Sequence, residues 1–195
     1  MRDDVAAVIL AGGEGQRIGG GKPLRRFAGE RLIDRALRSA SHWSALVAVA
    51  VRDPIQVGSV NAAVILDEAN IAGPLGGLVS ALRLGAGSGR EFVVTIPADM
   101  PFLPQDLLPR LAQEIGDCGC AIASSGGHLH PVCGLWRVAA LGRVGEYLAG
   151  GRRSLKGFVT LVGHVEVAWP AAPDDPFFNI NTADELAEAE RRAAD

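Results

Sequence analysis

The densest chemistry in the chain lies in Leu10-Ala11-Gly12-Gly13-Glu14-Gly15-Gln16-Arg17-Ile18-Gly19-Gly20-Gly21-Lys22-Pro23-Leu24. Glycines let a backbone approach a ligand closely and turn its N–H groups toward an anion. Arg17 and Lys22 add two cations suited to phosphate oxygens. Directly after an apolar strand, this combination reads as a phosphate-binding loop. It is not a Walker A loop, because Gly21-Lys22 is followed by Pro23. It is not a dinucleotide fingerprint, because Gly13-x-Gly15 is followed by Ile18 where a third glycine is required.

Three further groups fall where strands end. Asp67 precedes Gly73-Pro74, a helix start whose unpaired N–H groups face the same edge. The Asp67–Asn70 stretch also suits a plain turn and cap, and Asn70 reads as that turn. Asp99 stands between Pro97 and Pro101, so its backbone is stiff. A carboxylate held this way suits Mg²⁺, which takes one or two carboxylates plus phosphate oxygens; capping the next turn is the alternative. Asn179-x-Asn181 sets two amides on one side of an extended stretch, where they suit phosphate oxygens or the waters of a metal. Thr182-x-x-Glu185 behind them is a capping box that opens a last helix.

Other features read as structure. Cys118-x-Cys120 with Cys133, His128 and His130 lacks the knuckle spacing of zinc sites. Trp43, Trp136 and Trp169 are scattered and read as packing residues. Arg152, Arg153 and Lys156 form a basic cluster, either solvated surface or a dock for an anionic substrate.

Positioning these groups requires a regular frame. Apolar strands over 5–10, 45–51, 62–66 and 92–96 alternate with helices over 31–41, 73–84 and 104–115, the last weakened by Pro109. The order predicts an α/β fold, a three-layer α/β/α arrangement with a mostly parallel sheet covered on both faces. In such sheets ligands bind at the carboxyl ends of the strands. Beyond residue 115 the pattern loosens to strands over 120–124, 132–137 and 165–169, a loop over 125–131 and a helix over 138–148. The 195 residues contain no repeat and no long linker, so a single domain over 1–195 is expected. The net charge of −3 argues against a nucleic-acid partner. Short apolar runs exclude a membrane span, and an acidic start (Arg2-Asp3-Asp4) argues against a leader. With an odd count of 3 cysteines no disulfide framework is expected, and the chain reads as cytoplasmic.

Leu-Ala-Gly-Gly-x-x-x-Arg-x-Gly-Gly-x-Lys resembles the signature of Rossmann-like nucleotidyltransferases of the nucleotide-diphospho-sugar transferase type. Within them it most resembles the molybdenum cofactor guanylyltransferases. Asp99-x-Pro101-Phe102, the His130–Trp136 stretch and the Phe177–Thr182 stretch extend the resemblance over nearly the whole chain, in the expected order. It implies that the terminal phosphate of molybdopterin, with molybdenum already bound, attacks the α-phosphorus of GTP and expels pyrophosphate. It makes Arg17, Lys22 and Asp99 the catalytic set, with Mg²⁺ on Asp99. It makes Leu10, Ala11, Gly12, Gly13, Gly15, Asp67 and Gly73 nucleotide-binding, and places Asn181, Asn179 and His130 near the pterin substrate. Proteins that supply the cofactor or receive the product are implied as partners. Related enzymes that use CTP with molybdopterin, or GTP with another phosphorylated acceptor, share most of these motifs. So would a non-catalytic nucleotide-binding carrier. The chain departs from the family at Gly21, where an Asp is common, and at Val51 or Arg52, where an Asn is common.

Overall fold

The computed structural model describes residues 2–13 and 21–194. Strand β1 (Val5–Leu10) lies at the centre of the sheet. Its alternation divides two cores. Val5, Ala7 and Ile9 enter one, and Ala6 and Val8 the other. A strand buried on both faces has no polar side to offer water, which is why its run is continuously apolar.

Around it stand β4 (Val47–Val51), β5 (Ala63–Leu66), β6 (Phe92–Pro97), β7 (Cys120–Ser125), β8 (His128–Arg137) and β9 (His164–Trp169). The sheet order is β5-β4-β1-β6-β8-β7-β9. Only β8 runs against the rest. A separate two-residue ladder, β2 (Arg26–Phe27) with β3 (Glu30–Arg31), follows the glycine-rich loop.

Helices α1 (Leu32–Trp43) and α3 (Leu107–Glu114) cover the first core. Ile33, Ala36, Ala40 and Trp43 recur at helical spacing on α1 and bury one stripe. Helices α2 (Pro74–Gly87), α4 (Val144–Ala149) and α5 (Leu155–Val162) cover the second core. Helix α6 (Ala183–Ala194) packs Ala189 beside Phe27, Leu32 and Ile180. Among the described residues no helix is long and apolar enough to cross a membrane.

Register brings the site together. Leu10 pairs with Ala50 and with Pro97, and Val51 pairs with Leu66. The residues that follow these ends, Ala11–Gly13, Arg52, Asp67 and Ala98–Asp99, therefore emerge side by side on one edge. Chain order departs from β1 toward β4 on one side and toward β6 on the other, the switch point at which α/β sheets bind ligands.

Several boundaries differ from those expected. Helix α3 starts at Leu107, not residue 104, so Pro109 falls in the first turn, where a missing N–H costs nothing. The loop expected over 125–131 is a tight hairpin. Gly126 and Gly127 turn at φ 54° and 78°, and pairing resumes at Ser125–His128. The helix expected over 138–148 is a 3₁₀ segment, Val138–Arg143, running into α4. Helix α5 was not anticipated. It buries Leu155, Phe158 and Val159 at i, i+3 and i+4 and is capped by Ser154, whose hydroxyl accepts from the Gly157 N–H. Gly157 hid it, and the glycine has a packing reason: a Cβ there would stand 2.3 Å from the Tyr147 hydroxyl. Strand β5 is apolar, yet it is an edge strand with Val64 and Leu66 exposed, not buried on both faces.

Candidate active site

A cleft of about 210 Å³ opens along the strand ends. Leu10, Ala11, Gly12, Gly13, Lys22, Asp67, Gly73, Asp99 and Asn179 line it, as the sequence predicts. Gly15 and Arg17 lie outside the described residues. Pro23, Gly77 and Val132 also line it without having been singled out, as does Arg52, marked in the sequence only as a departure from the resemblance.

One end of the cleft gathers Lys22, Asp99, Asn179 and Asn181. Lys22 opens a 3₁₀ turn, Lys22–Leu24, with Pro23 setting its φ and the Leu24 N–H closing onto the Gly21 carbonyl at 2.9 Å. Gly21 is left-handed (φ 61°) with open space where a side chain would stand. That is a conformation Asp also tolerates, so the Gly in place of the family Asp keeps the turn. The Lys22 ammonium is ion-paired with Asp99 Oδ2. It also donates to Asn181 Oδ1 at 2.8 Å and Asn179 Oδ1 at 3.4 Å.

The two asparagines reach it because their strand-like segment is pinned at both sides. The Ile180 N–H donates to the Asp99 carbonyl at 2.9 Å. Glu185 Oε2 accepts from the N–H groups of Asn181 (2.6 Å) and Thr182 (2.8 Å), while Thr182 Oγ1 accepts from the Glu185 N–H. The capping box therefore forms as expected, and the Asn-x-Asn amides do share a side.

Asp99 Oδ1 is buried and has no hydrogen-bond partner among the described residues. A buried carboxylate oxygen without a donor calls for a cation or a ligand. Among the described residues no group of three His, Cys, Asp or Glu side chains is assembled. The donor set thus suits Mg²⁺ completed by phosphate oxygens and water, not a metal caged by protein alone.

The other end holds Asp67. Its carboxylate is wedged between two backbones: a Cβ on Gly12 would stand 2.2 Å from Oδ2, and one on Gly77 3.1 Å from Oδ1. Oδ1 is buried without a partner among the described residues. Burial raises the Asp67 pKa above its ordinary value, and the neighbouring Arg52 charge pulls the other way. Gln56 braces this end. Its Oε1 accepts from the N–H groups of Arg52 (2.9 Å) and Asp53 (3.1 Å), and its Nε2 donates to the Gly12 and Gly13 carbonyls at 3.5 Å. Asp53-Pro54-x-Gln56 is a capping pattern that could have revealed this brace. Asn70 sits at φ 67°, the turn residue it was read to be.

His130 is not part of the cleft lining. Its ring stacks on Phe177 with centroids 4.6 Å apart, and Nε2 is hydrogen bonded to Ser125 Oγ at 2.8 Å. Cys120 and Cys133 belong to cores on opposite sides of the sheet. Burial pushes the Cys120 thiol up to about 12. The three indole N–H groups donate to Gln105 O, Thr95 Oγ1 and Asp106 Oδ1, as packing residues do. Arg153 donates to the Leu148 carbonyl and Arg152 lies over the Tyr147 ring, both at the α4–α5 corner.

The model of the MobA-like NTP transferase domain matches residues 7–167. The chain belongs to this family. It is 40% identical to a molybdenum cofactor guanylyltransferase of Bradyrhizobium sp. (strain ORS 278), over 97% of this chain and 93% of that protein. It is 38% identical to one from Cereibacter sphaeroides (strain ATCC 17029 / ATH 2.4.9), over 94% of each chain. Among solved structures it is similar to molybdopterin-guanine dinucleotide biosynthesis protein A from Archaeoglobus fulgidus, with a TM-score of 0.77, 25% identity and coverage of 97% and 98%. At 11% identity and a TM-score of 0.76, 4-diphosphocytidyl-2C-methyl-D-erythritolsynthase from Anaerococcus prevotii DSM 20548 shares the fold, covering 99% of this chain and 97% of its own. A MobA-like NTP transferase domain is therefore built here on a seven-stranded, mostly parallel sheet with one antiparallel strand.

Proposed function

We infer that the protein is a molybdenum cofactor guanylyltransferase, transferring GMP from GTP to the phosphate of molybdopterin and releasing pyrophosphate. Family membership together with the Lys22–Asp99–Asn181 cluster at the mouth of a glycine-lined cleft carries the reading. A phosphate oxygen of the pterin attacks the α-phosphorus of GTP. The α-phosphorus–oxygen bond to the β-phosphate breaks, and a phosphoanhydride links pterin to GMP. The nucleophile is already an anion, so no strong general base is needed. Catalysis is then positioning and charge neutralisation.

Lys22, with Arg17 from the same loop, holds the triphosphate and the departing pyrophosphate. The N–H groups of Gly12 and Gly13 lie against the nucleotide, and Gly12 and Gly77 leave room for the Asp67 carboxylate beside it. Asp67 and Arg52 stand at the nucleoside end, three and two strands from Asp99 in the sheet order. Asp99 would hold Mg²⁺, which supplies charge neutralisation on the phosphates when bound. The pterin side is formed by Val132 and the 177–182 segment. His130, stacked behind on Phe177, supports that wall. A cytoplasmic site of action follows from this role in cofactor synthesis.

The test is calorimetric binding of GTP, CTP and ATP with and without Mg²⁺, followed by turnover with molybdopterin. GTP is expected to bind in preference, and Asp99→Ala is expected to lower turnover by at least about 100-fold with an unchanged circular dichroism spectrum. Preference for CTP would move the assignment to the cytidylyl reaction. Binding of GTP without release of pyrophosphate in the presence of molybdopterin would overturn the enzymatic reading in favour of a carrier.

A further inference from the structure

Lys22 and Asp99 face each other across the cleft, and their contact is unlike a structural ion pair. A pair kept for stability has its remaining oxygen satisfied, because a buried, unpaired lone pair costs more than the pair returns. Here Asp99 Oδ2 takes the ammonium while Oδ1 is buried with no partner among the described residues. The ammonium in turn is held by two amide oxygens, Asn181 Oδ1 at 2.8 Å and Asn179 Oδ1 at 3.4 Å. Three oxygen acceptors, Asp99 Oδ2, Asn181 Oδ1 and Asn179 Oδ1, thus surround an ammonium that has three N–H donors. The side chains of Lys22 and Asp99 are only 12% and 19% exposed, so solvent screens their interaction weakly.

Resting on the nucleotidyltransferase reading, we propose that Lys22 is the counter-ion of Asp99 in the nucleotide-free protein, held there by Asn179 and Asn181 as positioning residues. The ammonium occupies the place of the divalent cation. An incoming triphosphate draws Lys22 away from Oδ2, since its phosphates offer more negative charge than one carboxylate. The carboxylate, now facing the phosphates with both oxygens free, takes the cation. Divalent cation and nucleotide therefore enter as a linked pair, and the cation alone is held off by a like charge at its own site. Asn179 and Asn181 act through Lys22: their oxygens fix where the ammonium rests before nucleotide arrives.

The experiment measures Mn²⁺ binding to nucleotide-free protein by electron paramagnetic resonance, using the full chain. Wild type, Lys22→Gln, Asn181→Ala and Lys22→Gln/Asp99→Asn are compared, each with GTP binding measured by calorimetry on the same sample. Removal of the competing cation is expected to tighten Mn²⁺ binding by about tenfold in Lys22→Gln. The additional Asp99→Asn change is expected to abolish that gain, and Asn181→Ala to give an intermediate value. Equal Mn²⁺ affinity in wild type and Lys22→Gln would overturn the proposal, as would a gain that survives Asp99→Asn. An Asn181→Ala value equal to wild type would remove the positioning role of that residue. The two readings fail separately. Wild type that binds GTP while Lys22→Gln shows no gain leaves the enzymatic assignment standing, whereas wild type that binds no GTP ends that assignment even if Mn²⁺ behaves as expected.

Discussion

Gly12 shows how tightly single residues are specified in this cleft. A methyl group there would collide with Asp67 Oδ2 at 2.2 Å, and backbone on one side and α2 on the other leave the carboxylate no easy retreat. Gly12→Ala is expected to weaken GTP binding by about tenfold, as overpacking of 1–3 kcal/mol would. In an Asp67→Ala background the same change should cost little, because the colliding group is gone. Calorimetry on the four members of this cycle reads the coupling directly. In the sequence the glycines of this loop read as phosphate ligands. What sequence did not disclose is that one of them exists to admit a carboxylate, since Asp67 lies 55 positions further on and meets it only through strand order.

At the scale of elements, the site depends on how α6 begins. Glu185 caps the helix and, with the same oxygen, fixes the N–H of Asn181. Glu185→Ala is expected to destabilise the fold by about 1 kcal/mol, the worth of a cap. It is also expected to lower kcat/KM by roughly 10–100-fold, because Asn181 no longer fixes Lys22. Glu185→Gln, which preserves the capping box, should restore both. Denaturant unfolding and steady-state kinetics separate the two effects. The box was legible because capping is local, four residues long. For the same reason β1, β4, β6 and α2 could be placed closely from periodicity and punctuation. Helix α5 and the 126–127 hairpin could not. In the first, a glycine required by Tyr147 breaks the helical pattern. In the second, two adjacent glycines with positive φ were read as slack rather than as a turn that joins β7 to β8. Nothing local marks Val132, and Arg52 stood out only as a departure from the resemblance; both line the cleft by register.

For the molecule as a whole, stability should depend on pH through His130. Burial against Phe177 lowers its pKa below the ordinary 6.5; Asp175 opposes the shift and His128 adds to it. Above that ordinary value neither folded nor unfolded chain carries the proton, and the full stability is present. As pH falls through it, the unfolded chain binds the proton first, so acidification favours unfolding until the folded pKa is passed. Thermal unfolding from about pH 7.5 to about pH 5.5 is expected to show this loss, and His130→Gln to flatten it. The link between Lys22 and Asn179 spans 157 positions of sequence. During synthesis the glycine loop and the ends of β1, β4, β5 and β6 therefore exist long before the segment that restrains the lysine has left the ribosome. The contacts of Lys22 with Asn179 and Asn181 can form only once the chain has been made through residue 181, and the Glu185 brace on Asn181 only once α6 has begun.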